Sequence, residues 1–154
     1  MKTIIHVTDV SAARGSVFEA LTTLEGLAAW WTTKVEGDAG RDGLIDFTFG
    51  GDFNPDMQVV DFEPLSVVSW KCVGGHDPWA DNTFTFQLED RDATRLRFKQ
   101  EYATELSDDD YGIYNYNWGY YLESLRLYCE TGTGKPFQAS ASPTDAAHHP
   151  DQPS

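Results

Sequence analysis

Basic residues are scarce in this chain. Its 154 residues hold 11 Lys and Arg against 25 Asp and Glu, a formal net charge of -14. A surface of that sign repels phosphate backbones and anionic lipid headgroups, which sets aside nucleic acid and membrane surfaces as partners. Long apolar runs are missing as well. No stretch approaches the ~18 consecutive apolar residues of a membrane span, and MKTIIHVTDVS at the start is too short and too polar for a secretion signal. A cytoplasmic protein is the expectation. Cysteine is limited to Cys72 and Cys129, which lie far apart without paired-ligand spacing. Neither a disulfide framework nor a zinc motif follows from them, and both read as reduced, buried thiols. The chain also lacks a Gly-x-Ser-x-Gly motif, a phosphate loop and a dinucleotide fingerprint. Gly132-x-Gly134 follows a helical segment and reads as its stop signal.

What the chain has in plenty is aromatic bulk. Fourteen per cent of residues are aromatic, with 5 Trp, 7 Tyr and 9 Phe, and 40% are hydrophobic. That is too rich for a disordered protein and enough for one packed core. The C-terminal end differs: TGKPFQASASPTDAAHHPDQPS is Pro-rich with a single aromatic, Phe137. A domain over residues 1-132 and a disordered tail over 133-154 are therefore expected. His148 and His149 fall in that tail, where adjacent histidines are more simply incidental than a metal site.

Within the domain the hydrophobic period alternates. Residues 3–9 read as a strand with Ile5 and Val7 on one face and Ile4 and His6 on the other. Val17, Leu21 and Leu24 follow helical spacing behind Asp9 or Ser11 as cap, and a short helix near Glu25 ends at Trp30-Trp31. Strands then follow without a helix-length gap. Ile45, Phe47 and Phe49 alternate with polar residues; MQVVDFEP follows; LSVVSWKCV is apolar on both faces, as a strand covered on two sides would be. NTFTFQLED and ATRLRFKQEY form a hairpin with Phe84, Phe86, Leu88, Leu96 and Phe98 inward. In the final helix Tyr114, Trp118, Tyr121, Leu122, Leu125, Tyr128 and Cys129 share a wide stripe, while Tyr120 and Leu127 lie nearly opposite. Runs of strands joined by short turns and closed by one long helix indicate an α+β fold.

In order and spacing, VFEALTTLEGLAAWW, GLIDFTFGGDF, PLSVVSW, TFTFQLED, TRLRF and NWGYYLESLRLYCETGTG together resemble a helix-grip domain. The resemblance is to the START-like (SRPBCC) superfamily, and within it to small bacterial homologues of the activator of heat-shock-protein-ninety ATPase. It covers residues from about 1 to 136 and rests on packing motifs rather than catalytic ones. It implies a curved antiparallel sheet of six or seven strands wrapped around the C-terminal helix, with two short helices after the first strand. Members of this superfamily commonly bind lipids, hormones or polyketide-like molecules between sheet and helix. Some related branches are cyclases, aromatases or hydrolases, and the branch name comes from a stress-response co-chaperone.

Non-enzymatic binding of a hydrophobic or amphipathic small molecule is the leading expectation. The lining candidates are Trp30, Phe47, Phe49, Trp70, Trp79, Phe84, Phe86, Phe98, Trp118, Tyr121, Leu122 and Leu125, with Trp79 and Trp118 nearest the mouth. No cofactor, metal or catalytic residue is assigned. A chaperone-binding domain and a cyclase- or hydrolase-type enzyme remain the alternatives, and a second copy of the chain is a further partner. His76-Asp77 is the only internal His-carboxylate pair, and loop polarity accounts for it, with Asp81, more simply than catalysis or metal binding. Ser107 to Asp110 reads as a helix cap with acids in the first turn rather than a calcium loop. Arg91, Arg95, Arg97 and Lys99 read as the outward face of a hairpin, compensated by neighbouring carboxylates, in preference to a docking patch.

Overall fold

The structure, a computed structural model, describes residues 2–139. Seven strands form one antiparallel sheet in the order β1-β7-β6-β5-β4-β3-β2. They are β1 (Thr3–Val10), β2 (Lys34–Gly37), β3 (Leu44–Thr48), β4 (Asp56–Glu63), β5 (Val67–Gly74), β6 (Thr83–Asp90) and β7 (Thr94–Glu101). Helices α1 (Arg14–Thr22) and α2 (Leu24–Trp30) follow β1, and the long α3 (Asp108–Thr131) closes the fold. Register shifts in the β4–β5 ladder, between Asp56 and Met57 and between Val59 and Asp61, bend the sheet where it must curve.

The alternation in the sequence becomes the inner face. Leu96, Phe98 and Gln100 of β7 and Phe84, Phe86 and Leu88 of β6 are buried, while their neighbours reach toward solvent. In β1 the inner face is that of Ile4, which is fully buried; Ile5 and Val7 point outward and are 63% and 55% exposed. Strand β2 is missing from the sequence reading because it is a four-residue edge strand whose only apolar side chain, Val35, is half-buried. The double-sided burial expected of LSVVSWKCV is also corrected. Strand β5 is central, and Val68, Trp70 and Cys72 are buried, but Val73 on the outer face is 54% exposed.

Helix caps decide where the helices start and stop. Thr23 accepts from the Gly26 amide at 3.0 Å to begin α2, and Ser107 accepts from the Asp110 amide at 3.1 Å to begin α3. The expected capping of α1 by Asp9 or Ser11 is not found. Its cap position is Ala13, whose side chain has no oxygen to offer. Helix α3 ends at Gly132, which takes the left-handed conformation (φ 89°) and donates its amide to the Tyr128 carbonyl. Tyr111 Oη donates to the Thr3 carbonyl at 2.9 Å, and the Ser11 amide donates to Glu130 at 2.8 Å. The helix therefore lies along β1 and covers part of that sheet edge.

Part of the segment expected as tail, residues 133–139, is among the described residues and makes contacts with the domain. The Phe137 amide donates to the Trp31 carbonyl at 2.8 Å, and the Phe137 carbonyl accepts from the Thr33 amide at 2.9 Å. Lys135 donates its amide to Ser124 Oγ at 2.7 Å. Phe137 is buried beside Phe49, so the one aromatic of the segment anchors it. Residues 140–154, with His148 and His149, lie outside the described residues.

Candidate functional site

The space between sheet and α3 is filled by the side chains expected to line it. Trp30, Phe47, Phe49, Trp70, Trp79, Phe84, Phe86, Phe98, Trp118, Tyr121, Leu122 and Leu125 are all buried. Trp31, absent from that set, is the hub: its ring lies 4.5 Å from Phe47, 5.1 Å from Phe49 and 5.1 Å from Trp118. It also stacks on Trp30 and Trp70, each at 6.0 Å, and on Trp79 at 6.4 Å. Trp79 and Trp118, expected near a mouth, are as buried as the rest.

Polar atoms inside this aromatic mass are unevenly satisfied. Trp118 donates its indole N–H to Gln100 Oε1 at 2.7 Å, and Gln100 donates to Asn82 Oδ1 at 3.0 Å. That chain gives Gln100 a reason to sit wholly buried on β7. The indole N–H groups of Trp31, Trp70 and Trp79 and both amide atoms of Asn117 have no hydrogen-bond partner among the described residues.

A concave site does exist, at the end of the fold where α3 begins. A hollow of about 640 Å³ is lined by Gly51, Asp52, Asn54, Gly75, His76, Asp77, Pro78, Asp110 and Tyr114. The turn after β3, the segment after β5 and the first turns of α3 supply these residues. Gly75 is required for the close approach of the first two. Its φ is 81°, and a Cβ there would stand 1.8 Å from the Asn54 carbonyl oxygen. The inner wall is a buried pair: His76 Nε2 and Tyr114 Oη are 2.9 Å apart, and His76 Nδ1 lies 3.3 Å from the Asp52 carbonyl. Behind that wall Phe53 packs edge-on to His76 at 4.6 Å, and Trp79 touches both His76 at 5.3 Å and Tyr114 at 5.5 Å. The sequence reading took His76 as loop polarity; the structure buries it at the hollow's inner wall.

Burial lowers the His76 pKa from its ordinary 6.5, outweighing the hydrogen bond that Nδ1 donates to the Asp52 carbonyl and the nearby carboxylates. The imidazole is therefore neutral at physiological pH and acts as one donor and one acceptor. Because the unfolded chain takes up this proton more readily, stability is full above pH 6.5 and falls as the pH drops from there toward the depressed folded value. Urea titrations of wild type and His76→Gln between pH 7.5 and 5 should show a shallower acid decline in the variant.

The remaining candidates resolve as structure. Arg95 pairs with Asp9 at 2.8 Å, Arg97 with Glu89 at 2.7 Å, and Arg91 with Glu89 at 3.3 Å. The basic hairpin is thus compensated across strands, and exposed pairs of this kind contribute little each. Cys72 and Cys129 are free, with burial pushing each thiol up to about 11, which leaves little reactive thiolate. Among the described residues no helix is long and apolar enough to cross a membrane.

The family model described as "Activator of Hsp90 ATPase homolog 1-like protein" matches residues 11–130. The chain belongs to this family. The solution structure of the Aha1 dimer from Colwellia psychrerythraea is similar at 33% identity, over 87% of this chain and 100% of that one, with a TM-score of 0.77. The Bacillus halodurans protein BH1534 is 23% identical over 84% of this chain and 98% of its own, with a TM-score of 0.66. DynU16, a putative protein of the dynemicin biosynthetic locus, is 19% identical over 87% of this chain and 49% of its own, with a TM-score of 0.73. The last two share the fold. No curated protein matches the chain. For this family member, the helix-grip architecture expected from the sequence is the architecture found: α+β, a seven-stranded antiparallel sheet and a long C-terminal helix. The fold family is one of ligand-binding domains.

Proposed function

We propose that the protein binds an amphipathic small molecule without converting it, at the hollow beside the start of α3. The observation that carries this reading is the hollow of about 640 Å³ with the buried His76–Tyr114 pair as its inner wall. Small-molecule sites span roughly 300–1,000 Å³ and combine an apolar lining with a few oriented polar groups. Here the polar groups come first and the apolar mass lies directly behind them. The ligand's polar end meets His76, Tyr114 and Asn54. Its apolar part reaches Phe53 and Trp79 by displacing them, and beyond them Trp118 and Phe84. Each Å² of apolar surface so buried contributes roughly 25 cal/mol before the costs of ordering.

Intrinsic tryptophan fluorescence, followed alongside native mass spectrometry, tests the reading with fatty acids, flavonoids and polyketide-like aromatics. A saturable one-to-one response, weakened by Tyr114→Phe, is the expected result. No saturable response from any class would sink it.

A second reading, self-association, is favoured by a different observation. Ile113, Tyr116 and Tyr120 on the outward side of α3 are 39%, 74% and 42% exposed, and the Colwellia relative is described as a dimer. Sedimentation velocity distinguishes the two readings, since ligand binding at the hollow needs no second copy. The chaperone-binding alternative draws less support, because the basic hairpin that would serve it already has its charge partners.

A further inference from the structure

Hydrogen-bond direction at the inner wall sets the kind of polar group the hollow accepts, resting on the binding reading above. A backbone carbonyl only accepts, so the Asp52 carbonyl 3.3 Å from His76 Nδ1 requires the hydrogen on Nδ1. The buried imidazole is neutral, and its Nε2 is then bare. Tyr114 Oη, 2.9 Å from Nε2, gives its hydrogen to that nitrogen. Having donated, the phenol oxygen meets any further group as an acceptor. Each bond of this short chain polarises the next, which strengthens the oxygen at its end as an acceptor.

Packing holds that direction. Phe53 lies edge-on to the imidazole at 4.6 Å and Trp79 at 5.3 Å, and turning the ring over would place carbon where both nitrogens now bond. The hollow's other uncharged polar side chain serves its own turn. Asn54 Oδ1 accepts from the amides of Phe49 and Gly50 at 3.1 and 2.9 Å, and Nδ2 gives one hydrogen to the Gly51 carbonyl at 3.0 Å. The second Nδ2 hydrogen can go to a ligand. A hydroxyl suits both groups, because it donates once and accepts as well. A ketone or ether only accepts and would set its oxygen against that of Tyr114. No Lys or Arg lines the hollow, so a carboxylate would find no counter-charge there.

We infer that the ligand's polar end is a neutral hydroxyl, phenolic or alcoholic, that donates to Tyr114 Oη. Among the classes named above this selects hydroxylated aromatics over fatty acids. Calorimetric titration with four probes on one propylbenzene frame tests it: para-propylphenol, its methyl ether, para-propylacetophenone and para-propylbenzoate. The phenol is expected to bind saturably at one site, roughly tenfold tighter than the ether and the ketone, with the benzoate weakest. Tyr114→Phe should bring the phenol down to the level of the ether. In His76→Leu the Tyr114 hydrogen loses its acceptor and turns to the ligand, so the ketone should match or pass the phenol. His76→Gln, whose amide oxygen takes the Tyr114 hydrogen instead, should keep the phenol preference. Equal weakening of all four probes in these variants would make the pair a structural support and overturn the assignment. In the wild-type protein, ring nitrogen chemical shifts of His76 should show hydrogen on Nδ1 and none on Nε2, a readout that needs no variant to fold. The reverse tautomer, or a ketone that binds wild type as tightly as the phenol, overturns the hydroxyl assignment and leaves the binding reading standing. Failure of all four probes also overturns it, and failure of every class in the fluorescence titration besides removes both.

Discussion

Replacing Trp31 with alanine is expected to remove about 3–5 kcal/mol of stability, the range for deleting a large buried aromatic. Trp31 is wholly buried and touches Trp30, Phe47, Phe49, Trp70, Trp79 and Trp118, which arrive from α2, β3, the residue just after β3, β5, the turn at Asp77–Trp79 and α3. No small movement of one element can close the space, because its neighbours are anchored in different places. Domains of this kind are stable by only about 5–15 kcal/mol in all, so roughly a fifth or more of the total is at stake. The melting temperature should fall by roughly 6–20 °C. Urea unfolding of wild type and Trp31→Ala measures the difference, and a loss below about 1 kcal/mol would show that the indole cluster is not the centre of the core.

The second large effect concerns the C-terminal segment. Phe137→Ala should cost about 2–4 kcal/mol, somewhat less than a central aromatic because Phe137 sits at the margin of the core at 9% exposure. The side chain closes over Phe49, and its backbone forms a short parallel bridge with Thr32. Gly134 makes the approach possible: a Cβ there would stand 2.4 Å from the Ala29 carbonyl oxygen and 3.0 Å from that of Ser124. Removal of Phe137 should also raise amide exchange at Thr33 and Lys135, whose N–H groups are held by this docking. Unchanged exchange and unchanged stability would mean that the segment contributes nothing to the fold.

The fold was legible in the sequence because it is written in period and order. Alternation in TFTFQLED and TRLRF fixed two strands and their inner faces, and the stripe from Tyr114 to Leu125 marked the helix face that meets them. The site was less legible, for physical reasons that can be named. Trp30 was among the lining candidates and Trp31 was not, whereas both are buried because the chain turns between α2 and β2 at that point. His76 stood in a polar loop with Asp77 and Asp81 beside it, and loop polarity accounted for all three. Its partner Tyr114 lies 38 positions away, and only the curvature of the sheet brings that helix turn beside it. Asp110 was accounted for by capping. It keeps that place near the helix start, and the same position puts its carboxylate on the rim of the hollow. Phe137 lay in a stretch whose composition argued for a tail, and composition averages away the one residue that docks.

The account's central claim is that the hollow before α3, backed by a closed aromatic interior, receives a small molecule. Amide and indole N–H chemical shifts followed during titration with fatty acids, flavonoids and polyketide-like aromatics test this most directly. The account predicts saturable shifts at Gly51, Asp52, Gly75, His76, Asp77, Asp110 and Tyr114 and at the Trp79 indole, with Trp30 and Trp70 nearly unmoved. Shifts confined to Ile113, Tyr116 and Tyr120 on the outer side of α3, or no saturable shift at the hollow, would contradict it.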